Sequence, residues 1–138
     1  MKILICGLPG SGKTTLAKCL YEKLWNSGEF ATWFNADEIR AYHDDWDFSE
    51  QGRLRQADRM QKLCEDSTVV FNICDFVAPT EATRKAFDAD FTVWVDTISE
   101  SRYEDTNVIF EKPEHVDIRV TTKDANQWAG VIYERLFN

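Results

Sequence analysis

Residues 7–14 constrain this chain more than any other segment. They read Gly-Leu-Pro-Gly-Ser-Gly-Lys-Thr and satisfy G-x-x-x-x-G-K-[ST] at every fixed position. The apolar run at residues 2–6 (KILIC) suits a buried strand. Residues 13–26 place Leu16, Leu20 and Leu24 at helical spacing. In a strand–turn–helix context, such a loop wraps a phosphate. Its glycines let successive backbone N–H groups point inward, and the helix adds the positive end of its dipole. Lys13 is placed to reach the β- and γ-phosphates, and Thr14 to offer its hydroxyl to Mg²⁺. Gly7, Leu8, Pro9, Gly10, Ser11, Gly12, Lys13, Thr14 and Thr15 are therefore the expected nucleotide cradle, with Lys13 also catalytic.

Downstream of the loop, apolar runs alternate with helical patterns. Short strands are expected at Ala31–Phe34, Thr68–Cys74, Phe91–Val95 and Asp117–Val120. Helices are expected from Ser49, a good N-cap, to Glu65, and from Pro79–Thr80 to Phe87. A closing amphipathic helix turns Trp128, Val131, Ile132 and Leu136 toward the core. This alternation predicts one α/β domain over residues 1–138, with the three-layer P-loop NTPase fold. Its centre is a mainly parallel five-stranded sheet with helices on both faces. Ligands of such folds bind at the carboxyl ends of the strands, so the loops after Cys6, Phe34, Cys74, Val95 and Val120 are the ones to watch.

Composition narrows the partners. The 138 residues carry a formal charge of −8, which repels a phosphate backbone and argues against duplex nucleic acid. No segment approaches the ~18 apolar residues of a membrane span, and the N-terminal run does not read as a signal peptide. A cytoplasmic location is expected. Cys6, Cys19, Cys64 and Cys74 form no CxxC pair and read as small buried hydrophobes in a reducing compartment.

The phosphate loop specifies a nucleoside triphosphate and not a reaction. No N-K-x-D guanine-reading string follows; Thr122-Lys123-Asp124 lacks the asparagine and the spacing, so ATP is favoured. An acceptor site must stand opposite. Asp37, just past the second strand, fits three roles: taking a hydroxyl proton, holding a magnesium-bound water, or capping a helix over 38–43. Arg40 falls one turn later and points toward the same cleft. On the helix from Ser49, Arg53 shares a face with Ala57, Met60 and Cys64, whereas Arg55, Arg59 and Lys62 lie on a solvated one. An arginine on an apolar stripe calls for an anion, so Arg53 is the anion-binding candidate. Gln56, one turn away, is placed to read a polar substrate edge. Asp75 ends the pattern VVFNICD either as a Walker B-like aspartate or as a capped loop residue.

Taken together these residues resemble the adenylylsulfate kinase family, whose members phosphorylate the 3′-hydroxyl of adenosine 5′-phosphosulfate. The family's Asp-Gly-Asp-x-x-Arg is similar to Asn35-Ala36-Asp37-Glu38-Ile39-Arg40, with the first aspartate replaced by asparagine. Its Gly-Phe-Ser…Arg…Asn looks like Asp47-Phe48-Ser49, Arg53 and Gln56. Its Phe-Ile-Ser-Pro looks like Phe76-Val77-Ala78-Pro79. Its Val-Asp-Thr is present as Val95-Asp96-Thr97, and its Tyr-Glu-x-Pro-Glu is similar to Phe110-Glu111-Lys112-Pro113-Glu114. The resemblance implies ATP and Mg²⁺ as cofactors, with Thr14 and Asp37 at the metal and Asp37 at the acceptor. It implies that Phe48 stacks on the acceptor base and Arg53 holds its anionic group. Arg40, Gln56 and the loop Phe76, Val77, Ala78 and Pro79 would complete that site. It also suggests a dimer of like chains.

The chain departs from the family in its lid, reduced to about 98–112, where family members carry a longer basic insertion. Arg102 either stands in for the missing charge at the nucleotide or is a surface residue paired with Glu100 or Glu104. Three readings follow: transfer of the ATP γ-phosphate to adenosine 5′-phosphosulfate, the same chemistry on another hydroxyl such as a nucleoside, or a nucleotide-binding switch without transfer.

Overall fold

A computed structural model describes residues 1–138. The elements run β1 Lys2–Cys6, α1 Lys13–Asn26, β2 Ala31–Asn35, α2 Ala36–His43, α3 Glu50–Asp66, β3 Phe71–Asp75, α4 Glu81–Phe87, β4 Phe91–Val95, α5 Glu104–Ile109, β5 Ile118–Val120 and α6 Ala125–Leu136. The five strands form one sheet in the order β2-β3-β1-β4-β5, and every pairing is parallel.

The alternation of side chains along each strand explains the two cores. Ile3 and Ile5 of β1, Ile73 of β3 and Val93 of β4 face one side, where α1 supplies Leu16, Leu20 and Leu24 and α6 supplies Ala129 and Ile132. Leu4 and Cys6 of β1, Cys74 of β3 and Trp94 of β4 face the other, against Ala57, Met60 and Cys64 of α3 and Phe87 of α4. Burial on both faces is why these strands read as continuous apolar runs. Cys6, Cys64 and Cys74 are buried, as expected. Burial raises the Cys6 thiol pKa to about 11, so it stays protonated.

Three expectations need correction. β3 begins at Phe71 and not at Thr68, because its register with β1 begins at Lys2↔Asn72 and residues 68–70 have no strand to pair with; Val70 is left exposed. Val131 of α6 points outward, while Ala129 and Ile132 form the buried stripe. Cys19, expected to be buried like the other cysteines, is only partly so. The reduced lid contains a short helix, α5.

Candidate functional site

The loops after β1 and β3 and the junction of β2 with α2 meet segment 102–106 around a cleft of about 610 Å³ at the carboxyl edge of the sheet. The phosphate loop forms its floor. A Cβ on Gly7 would stand 2.5 Å from the Val95 carbonyl oxygen, so only glycine lets the loop leave β1 this close to β4. Gly12 caps α1 with a φ of 104°, which aims the helix's free N–H groups into the loop. Two later segments brace it. The Thr97 hydroxyl donates to the Ser11 carbonyl at 2.6 Å, and the Lys123 ammonium donates to the Gly10 carbonyl at 3.1 Å.

The loop holds two unsatisfied groups. Ser11 Oγ is buried without a partner. Lys13 is 8% exposed, and its ammonium donates to the Leu8 carbonyl at 3.0 Å. Burial draws its pKa below the ordinary lysine value, against the opposing pull of Asp75 and Asp37. A buried ammonium facing a neutral acceptor and a buried hydroxyl with none are costly arrangements. The phosphates of a nucleotide satisfy both, so these residues fit the triphosphate that the motif implies.

Opposite the loop, β2 runs straight into α2. The Asn35 side chain caps this helix by accepting from Glu38 N at 3.1 Å. Asp37 therefore caps nothing. It lies exposed in the first turn of α2 with its carboxylate toward the cleft. One turn on, Arg40 is buried and donates from one nitrogen to the carbonyls of Asp45 and Asp47, both at 3.1 Å. It thereby shapes the loop that carries Phe48. The Phe48 ring lies 4.4 Å from the Arg40 guanidinium and 5.4 Å from that of Arg53, a cation–π arrangement on an exposed ring.

Arg53 lies on the buried face of α3, as its spacing predicts. It donates to the Phe48 carbonyl at 2.9 Å and to Thr106 Oγ1 of α5 at 3.1 Å, and it makes no salt bridge. Burial lowers its pKa, and Asp105 opposes that shift. Thr14, Arg53, Arg102 and Asp37 line the one cleft, together with Pro9 and Gly10 of the loop. Arg102 faces this cleft and bonds the Tyr103 hydroxyl at 3.0 Å; neither Glu100 nor Glu104 pairs with it.

Of the other candidates, Phe76 and Val77 also line this cleft, and the rest sit further from it. Thr15 lines a recess of about 280 Å³ behind the phosphate loop with Val120, Thr122 and Lys123. Gln56 is 2% exposed and spends its amide on the Ala36 carbonyl at 3.1 Å, tying α2 to α3. Phe76 packs edge-on against Phe87 at 5.5 Å, while Ala78 and Pro79 line a small recess beside Phe48. Arg55 and Arg59, read as plain surface charge, grip Asp45 at 2.7 Å each and so hold the Phe48 loop down. No sequence signal marks that role, because Asp45 is ten positions from Arg55.

Asp75, for which the sequence allows a Walker B-like aspartate or a capped loop residue, lies at the base of the site, 3% exposed. It accepts from Thr14 Oγ1 at 3.1 Å, from Trp33 Nε1 at 2.6 Å and from Asn35 Nδ2 at 3.2 Å. Burial raises its pKa above the ordinary carboxylate value; these three donors and then Lys13 pull the other way. The alternation of β2 would have flagged Trp33 only with the register to β3 in hand.

The adenylylsulphate kinase family profile matches residues 1–126. The chain belongs to the adenylylsulphate kinase family. An adenylyl-sulfate kinase of Clostridium kluyveri is 30% identical over 129 residues, covering 85% of this chain and 63% of that protein. The chain thus spans less than two thirds of the length of that relative. A cytidine diphosphoramidate kinase of Campylobacter jejuni is 35% identical over 63 residues, 46% of this chain and 37% of that one. In fold, the chain superposes on the Mycobacterium tuberculosis adenylylsulfate kinase solved with an ATP analogue and adenosine 5′-phosphosulfate. The TM-score is 0.85 at 20% identity, over 99% of this chain and 97% of that one. A shikimate kinase of Acinetobacter baumannii shares the architecture more loosely, with a TM-score of 0.65.

Proposed function

We propose that this member of the adenylylsulphate kinase family transfers the γ-phosphate of ATP to the 3′-hydroxyl of adenosine 5′-phosphosulfate. The observation that carries the reading is a two-sided cleft. Lys13 and Thr14 stand on one side, and Asp37 faces them from the other, beside the Phe48 ring that Arg40 and Arg53 flank. The phosphate loop and Lys13 hold the triphosphate, with the recess behind Gly12 open to its base. Thr14 and a nearby carboxylate would hold Mg²⁺, which would neutralise charge on the triphosphate.

The acceptor base lies on Phe48, and Arg53 with Arg40 offers positive charge to its anionic tail. Asp37 orients the 3′-hydroxyl and takes its proton. A bond forms between the 3′-oxygen and the γ-phosphorus, the bond to the bridging oxygen breaks, and ADP leaves. Arg102 and the short α5 segment cover the reacting phosphate in place of a longer lid.

A second acceptor class has support of its own. The Campylobacter relative, named for a cytidine nucleotide, aligns with this chain at 35% identity over 63 residues. Thr106 also occupies one nitrogen of Arg53. A coupled ADP-release assay with adenosine 5′-phosphosulfate, cytidine nucleotides and free nucleosides separates the readings. Turnover on adenosine 5′-phosphosulfate that disappears in Asp37→Ala supports the proposal. Turnover confined to a cytidine acceptor moves the assignment to that class. Nucleotide binding with no acceptor-dependent ADP release makes the chain a binding module.

A further inference from the structure

At the carboxyl edge of the sheet, Asn35 of β2 and Asp75 of β3 are register partners. The amide of Asn35 lies 3.2 and 3.3 Å from the two oxygens of Asp75. Two ionised carboxylates this close would repel strongly, so the pair has room for one negative charge. The related family motif carries that charge on the β2 side; here it sits one strand over. We infer that Asp75 is the carboxylate that anchors the nucleotide-bound divalent cation, through a metal-bound water, and that Asn35 and Trp33 are its positioning residues. This rests on the nucleotide cradle proposed above and is independent of the acceptor.

Three observations support the assignment. First, Thr14 Oγ1 donates its proton to Asp75 Oδ1 at 3.1 Å, which leaves the hydroxyl's lone pairs for other partners. The Asn35 amide takes up one of them at 3.3 Å, and the other is free for a cation. Second, Asp75 is 3% exposed yet forms no salt bridge; its side-chain partners are the neutral donors Trp33, Asn35 and Thr14. The Lys13 ammonium acts on Asp75 only through space, because it bonds the Leu8 carbonyl, and a buried carboxylate whose bonded partners are all neutral calls for a cation in closer reach. Third, of the other two carboxylates of the cleft, Asp105 acts on Arg53, and Asp37 is exposed in the first turn of α2 and is left to face the acceptor. Mg²⁺ typically keeps several waters and uses one or two protein oxygens with the phosphates, which the Thr14–Asp75 pair satisfies.

The test measures the ADP dissociation constant with EDTA and with Mg²⁺, without acceptor, alongside electron paramagnetic resonance of Mn²⁺ bound in the ADP complex. In the native chain Mg²⁺ tightens ADP binding. Asp75→Asn loses about tenfold or more of that tightening, while affinity in EDTA is unchanged or improves because a negative charge near the phosphates has gone. Asp37→Asn keeps the tightening. The exchanged pair, Asn35→Asp with Asp75→Asn, regains it.

Retention of full tightening in Asp75→Asn overturns the inference, as does its loss in Asp37→Asn. So does an exchanged pair that melts like the native chain without regaining it. If the exchanged pair does not fold, Mn²⁺ resonance on Asp75→Asn decides: loss of the bound signal upholds the inference and retention overturns it. Because no acceptor is present, failure here leaves the transfer reading standing. Failure of the acceptor assay likewise leaves this one untouched.

Discussion

Lys13 is held in the fold for its ligand and against its own solvation. It is buried beside a single carbonyl acceptor, and burial alone is the largest influence on its charge. Lys13→Met removes that cost at nearly constant shape. It is expected to raise the melting midpoint of the nucleotide-free protein by roughly 4 °C while abolishing ADP binding. Calorimetry with and without ADP checks both halves; a lowered apo midpoint would refute the account of Lys13. Asp37 presents the opposite case, an exposed carboxylate with no structural duty. Asp37→Asn is expected to leave the melting midpoint and ADP affinity within error and to lower the transfer rate about 10²–10⁴-fold. A rate loss matched by a loss of fold or of ADP binding would show that the residue is structural.

The loop between α2 and α3, on which the proposed acceptor side rests, is built from charge and close approach. Gly52, in the first turn of α3, lies so near the loop that a Cβ would stand 2.1 Å from the Asp47 carbonyl oxygen. Gly52→Ala is expected to cost about 1–3 kcal/mol, read by urea denaturation, and to raise KM for the acceptor as Phe48 is displaced. An unchanged KM would separate the loop from acceptor binding.

Asp45 holds the same loop from the other side. Hydrogen bonds from Arg55 lead the causes that depress its pKa well below the ordinary value of 3.8. A depressed carboxylate pKa contributes stability that is present above the unfolded value and is lost as pH falls through the native one. The melting midpoint of the native chain should therefore drop on acidification below about pH 4 more steeply than that of Asp45→Asn. Parallel acid limbs would remove the Arg55–Asp45 contact from the stability account.

For the molecule as a whole, apolar burial holds the two cores together while the carboxyl edge of the sheet stays unsatisfied. Ser11 Oγ has no partner, Lys13 bonds only a neutral carbonyl, and Asp75 bonds only neutral donors. Ligand should therefore act as a structural component. ADP with Mg²⁺ at 100 times its dissociation constant is expected to add about 2.7 kcal/mol of stability, measured as a shift in the denaturation midpoint. A shift absent with Mg²⁺ but present in EDTA would contradict the metal assignment.

The amino-acid sequence alone determined the phosphate loop, the parallel α/β plan and the buried face of α3. Each rests on local spacing: glycines that allow a tight turn, apolar runs buried on both faces, and a helical period that puts Arg53 with Ala57 and Met60. Tertiary structure decided what spacing cannot express. It freed Asp37 by giving the cap of α2 to Asn35, and it recruited Arg55 and Arg59 to a loop ten or more positions away. It turned the reduced lid into α5 against Arg53. Above all, it set Asp75 beside Asn35 and Thr14. Those residues are 40 and 61 positions away along the chain, and only the pairing of β2 with β3 and of β3 with β1 brings them within hydrogen-bond reach.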